Sequence, residues 1–250
     1  MNSSNLIIKD YMWSLIKDAC SCVLEKIELF AKKERPFSKG FTLYYNSENF
    51  PRCQRKTQII FEVFFSNEDV GSACVEKFSD REVFLKIYLP SVFNKKTQYH
   101  ALTRQEAKEI LSNKEEYIPN LIRVIAHEIT HIFDPLFHNI FYIDYYLKKH
   151  RLVLSNTNDS MSNKVLLEKY YDSVLEKRAY FAEAESLVRL FRNQNKTQEQ
   201  ALDYFFPESY KPSEFELFLK ENRPNEWDGY ISSVRELISL FYSDEKYLFI

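Results

Sequence analysis

Apolar residues recur at threes and fours over residues 5–33, at Leu6, Ile7, Tyr11, Leu15, Ile16, Ala19, Val23, Leu24, Ile27 and Phe30. That period predicts an amphipathic helix, ended at Pro36. The pattern then changes. Residues 41–45, 57–65 and 82–89 are rich in Ile, Val, Phe and Tyr, with polar turn segments at 46–51 and 67–71, and predict a small sheet of three or four strands. From about residue 102 the helical period returns and persists. Thr103-x-x-Glu106 is a capping box that opens a short helix to about Leu111. Further helices are predicted at 118–133, stopped by Pro135, then at 137–149, 163–192, 213–221 and 226–242, with a polar loop at 155–162. The order helix, sheet, helices predicts an α+β protein, a small mixed or antiparallel sheet packed on a helical domain. It divides into an N-terminal helix (1–36), a central domain (37–195) and a C-terminal helical extension (196–250), or forms one continuous domain.

The 118–133 helix changes the picture from fold to chemistry. Ile118, Leu121, Ile122, Ile125, Ile129 and Ile132 fill one broad face, and His127, Glu128, His131 and Val124 lie opposite. The helix is apolar enough to be buried, yet it carries three ionisable groups on one arc. Such groups are costly in a core unless they are paired or hold a metal. The pentapeptide His127-Glu128-Ile129-Thr130-His131 has the HExxH form. Residues four apart on a helix lie about 40° apart around its axis, so both imidazoles can reach one ion. Glu128 borders the same face, where it can act on a metal-held water. With five histidines in the whole chain, chance is a poor account of this spacing. Zinc is the expected ion, and metal-dependent hydrolysis, most simply of peptide bonds, is the expected chemistry.

A catalytic zinc needs a third protein ligand and one open position. A histidine six residues beyond the motif is excluded: Asp134 stands at the glycine position of HExxHxxGxxH, Phe137 at the third-histidine position, and His138 comes one residue late. A glutamate from a later helix is the alternative. Glu176 is the first choice, because Ala179 one turn on lets its helix approach closely; Glu183, on nearly the same face two turns later, is the rival. Asp134 is either an acceptor for a ligand histidine or a helix-end residue bonding locally. Tyr170, Arg178 and Tyr180 are candidate oxyanion donors, although core packing or solvation explains each more simply. His100, His138 and His150 lack partners at ligand spacing.

The HEITH motif with the Glu176-Lys177-Arg178-Ala179 element resembles the gluzincin zinc metallopeptidases, in particular small members such as the ImmA/IrrE-like peptidases. Phe181-Ala182-Glu183-Ala184, with Asp134 after the motif, resembles toxin peptidases of the lethal-factor kind. The likeness covers roughly residues 80–190. It implies a zincin-like domain with Zn2+ on His127, His131 and Glu176, Glu128 as general base, and a peptide or protein substrate. It also implies a sheet-edge strand ahead of the metal helix that pairs with extended substrate backbone; 82–89 precedes that helix. The alternative is a non-catalytic binding or structural protein that retains the gluzincin fold.

Composition narrows the rest. The 250 residues include 21 Phe and 17 Tyr but only 3 Gly, and 34 basic residues nearly balance 36 acidic ones for a net charge of −2. Interspersed charge of this kind argues against a nucleic-acid partner. Cys20, Cys22, Cys53 and Cys74 form no CxxC pair and read as free thiols, with a Cys53–Cys74 disulfide as the alternative. No signal peptide or membrane span is expected, which predicts a cytoplasmic location. The aromatic run at 137–147 is either core packing or a wall beside the cleft, core packing being the simpler account.

Overall fold

A computed structural model describes residues 6–32, 40–45, 57–66, 72–78, 82–90, 99–100, 102–133, 174–206 and 214–243. The helix predicted at 137–149, the 155–162 loop, residues 163–173, Asp134, His138, His150, Tyr170 and Cys53 lie outside them, as do the side chains of Cys74 and His100.

The architecture is α+β. Helix α1 (Asp10–Lys32) precedes strands β1 (Gly40–Tyr45), β2 (Thr57–Ser66), β3 (Ser72–Phe78), β4 (Glu82–Pro90) and β5 (Tyr99–His100). Helices α2 (Arg104–Ser112), α3 (Lys114–Phe133), α4 (Val174–Asn193), α5 (Gln198–Phe205), α6 (Glu214–Asn222) and α7 (Pro224–Ser243) follow. Among the described residues the sheet is mixed and has five strands, in the order β1-β2-β4-β3 with β5 also on β2. Only the β2–β4 pairing is parallel. Because β4 pairs with β2 from Gln58 to Ser66, β5 can reach Phe65 and Ser66 only from the side that β1 occupies. The extra strands, β3 and the two-residue β5, exceed the expected count. In β3, Ser72-Ala73-Cys74-Val75-Glu76-Lys77-Phe78 has too few bulky residues to stand out as a strand, and its register slips between Val75 and Lys77.

The strand at 82–89 lies inside the sheet: β4 has β2 on one side and β3 on the other. The edge that lies against α3 is β3.

Among the described residues, the helices predicted at 118–133, 213–221 and 226–242 and the later part of the one at 163–192 are present with shifted ends. Thr103 caps α2 as predicted: its hydroxyl accepts from the Glu106 N–H at 3.3 Å, and its own N–H donates to the Glu106 carboxylate at 2.7 Å. Helix α3 begins at Lys114, four residues before the expected start. Pro119 sits in its second turn, where a missing N–H costs a single helical bond. A second capping box, Thr197-x-x-Gln200, opens α5.

One buried apolar cluster unites the chain. It includes Leu6, Ile8, Trp13 and Ile16 near the N-terminus, Ile59, Phe61 and Val63 of β2, Leu121, Ile125 and Ile129 of α3, Leu187 and Phe191 of α4, and Leu237 and Phe241 of α7. Residues from 1–36, 37–195 and 196–250 thus share one core. No described helix is long and apolar enough to cross a membrane.

Candidate metal centre

Helices α3 and α4 pack closely, and small buried residues allow it: Ala126 on α3, and Ala179 and Ala182 on α4, are all fully buried. The two helices run antiparallel, since Arg123 meets Glu183 while His131 meets Glu176. Positions 123, 127 and 131 are one turn apart on α3, and 176 and 183 are about two turns apart on α4. The spacing of the two helices therefore interlocks along one seam.

At its centre, His127 Nε2 lies 3.1 Å from His131 Nε2. Glu176 Oε2 lies 3.3 Å from His127 Nε2, and Glu176 Oε1 lies 3.3 Å from His131 Nε2. The three residues each offer one donor atom to a common point, with all donor atoms within 4.8 Å of one another. Tetrahedral zinc with bonds of about 2.0–2.1 Å holds its ligand atoms about 3.3–3.4 Å apart. The contacts of 3.1–3.3 Å are near that spacing, with the carboxylate turning a different oxygen to each imidazole, and two imidazoles with a carboxylate are a usual zinc donor set. The residues present fit the ion.

The electrostatics favour positive charge at the same point. Burial lowers the His127 pKa, but the carboxylates of Glu176 and Glu183 outweigh it and hold the ring well above its ordinary value. Burial likewise raises Glu176, yet the charge of His131 and hydrogen bonds from both imidazoles bring it well below the ordinary carboxylate range. Both shifts express one preference, for a cation beside the Glu176 carboxylate.

Glu176 and Glu183, the two candidates for third ligand, occupy different places. Glu176 is fully buried between the imidazoles. Glu183 stands on the other side of the His127 ring, where Nδ1–H donates to its Oε1 at 2.8 Å, and Arg123 Nε–H donates to its Oε2 at 3.1 Å. A carboxylate can only accept, so Nδ1 carries a proton and Nε2 is the atom turned to the centre. Glu128 is buried on the same turn of α3 as His127. Tyr180 brings its ring edge-on to His127, with centroids 4.8 Å apart, and stacks on Phe215 of α6 at 4.3 Å. Arg178 is exposed. The sequence reading missed Arg123, although its place one turn before His127 puts it on the motif's own face.

No family model, curated protein or solved structure matches the chain.

Proposed function

We propose that the protein is a zinc-dependent endopeptidase of gluzincin type, with a zincin-like domain built around α3 and α4. The carrying observation is the trio His127, His131 and Glu176, whose ligand atoms converge within 4.8 Å of one another, with the two imidazole Nε2 atoms 3.1 Å apart. Zinc held there would supply Lewis acidity, acidifying water and polarising a substrate carbonyl. The chain's own groups supply the rest. Nδ1–H of His127 is anchored on Glu183, which leaves Nε2 free to ligate. Glu128, next to the first ligand, accepts the proton of the attacking water and passes it to the leaving amine. In the peptidases the chain resembles, an edge strand holds extended substrate by backbone pairing; β3 is the sheet edge beside α3 suited to that role.

The test is Glu128→Gln in the full chain. Its zinc content and thermal stability should stay near wild type, while peptide hydrolysis falls by at least about 10²-fold. If zinc-loaded wild type cleaves nothing in a diverse peptide pool, the alternative of a non-catalytic metal-binding protein replaces the peptidase reading.

A further inference from the structure

The second glutamate of α4 has a place of its own. Both of its oxygens are engaged away from the metal point: Oε1 by His127 Nδ1 at 2.8 Å and Oε2 by Arg123 Nε at 3.1 Å. All three side chains are nearly buried, 11% to 12% exposed for Arg123, His127 and Glu183. Water therefore competes weakly for these bonds. To become a ligand itself, Glu183 would have to leave both partners and cross to the other side of an imidazole ring.

We infer that Glu183 is a positioning residue for the metal centre, and that Arg123 holds it in that role. Arg123 fixes the carboxylate so that one oxygen points at His127 Nδ1. That bond selects the tautomer with Nε2 free and sets the ring's rotation. Tyr180, braced by Phe215, closes the neighbouring side of the ring. His127 is thus aimed before any ion arrives, which lowers the ordering that binding must otherwise impose. The inference rests on the zinc reading above and adds which residue orients the first ligand and what holds that residue.

The test measures zinc affinity of the full chain by competition with a chromogenic chelator. Glu183→Ala should bind zinc about 10–100-fold more weakly, the usual effect of losing an outer partner. Glu183→Gln should recover most of that loss, because an amide oxygen still accepts from Nδ1–H. Arg123→Met should weaken zinc in the wild-type background but have no further effect beside Glu183→Ala, since its action passes through Glu183. Histidine ¹⁵N resonances of zinc-loaded wild type should report a protonated Nδ1 and a metal-bound Nε2 at His127. This last measurement needs no variant and decides the matter if Glu183→Ala does not fold. Wild type that binds no zinc would overturn the centre and this inference together. Tight zinc in wild type with unchanged affinity in Glu183→Ala, or zinc on Nδ1, would overturn this inference alone.

Discussion

Helix α4 carries two buried charge clusters on different faces, and they are built in opposite ways. On one face, Glu176 and Glu183 join His127, His131 and Arg123 of α3. On another, Glu185 and Arg189 grip the start of the chain: Glu185 Oε2 accepts from the backbone N–H groups of Ile7 at 2.9 Å and Ile8 at 3.2 Å. Arg189 donates to Glu185 Oε1 at 3.2 Å and 3.1 Å, and to the Ile8 carbonyl at 2.7 Å. This second cluster is closed, with every carboxylate oxygen answered by a fixed donor within the protein. Even so, burial raises the Glu185 pKa against the Arg189 charge and the two backbone donors. Glu176, equally buried, goes the other way and ionises more readily than usual. The difference is convergence. The Glu185 groups pair off, whereas Glu176 and two imidazole nitrogens face one point that a cation would complete. Burial and charge are common to both clusters; only donor geometry separates a clamp from a candidate site.

The contrast breaks most visibly at the clamp. Arg189→Met should destabilise the protein by about 3–5 kcal/mol, because it leaves Glu185 buried without its cation. Denaturant titration should find the same loss with zinc or with chelator, since the clamp is separate from the metal. The next effect is at the centre. Glu176→Gln should weaken zinc by more than the about 10–100-fold that outer partners contribute, and by more than Glu183→Ala does. Equal and negligible losses for the two would remove the three-ligand assignment.

A smaller effect distinguishes the clusters by pH. The folded pKa of His127 is raised above its ordinary 6.5. Its contribution to metal-free stability is therefore full below about pH 6.5 and is lost as pH rises through the raised value, at up to about 1.4 kcal/mol per pH unit. Glu176 is lowered from 4.5, so its contribution is present above about pH 4.5 and fades as pH falls through the lowered value. With chelator present, the melting temperature should decline on the alkaline side. With zinc the decline should disappear, because a ligand His127 must be unprotonated at Nε2. An alkaline decline identical in both conditions would disconnect His127 from the metal.

Much of this was legible in the chain, where the signal is local. HEITH named both imidazoles because i and i+4 share a helix face whatever the tertiary fold. Thr103 and Glu106 announced a helix start that the structure forms as written. Ranking Glu176 above Glu183 used Ala179 as a sign of close approach, and Ala179 is fully buried at the seam. The partnership of Glu183 with Arg123 was not legible, because it joins residues sixty positions apart and depends on the antiparallel docking of two helices. Strand β3 escaped because its pairing with β4, not its own composition, makes it a strand. The edge position was hidden for a related reason. The parallel β2–β4 pair puts β4 inside and leaves β3, the strand before it in the chain, at the edge, which no residue in 82–89 records.

The clamp has one further consequence. Arg189 holds the Ile8 carbonyl on one side and lies 5.2 Å from the ring centroid of Phe241 on the other. The segment ahead of α1 and the last described helix, α7, therefore meet at a single guanidinium in the core. Fraying that reaches Ile8 or Phe241 must strip this cation of a partner, so neither segment loosens cheaply by itself. The amides of Ile7 and Ile8, both held by the buried Glu185 carboxylate, should therefore exchange slowly with solvent, as hydrogen exchange would check.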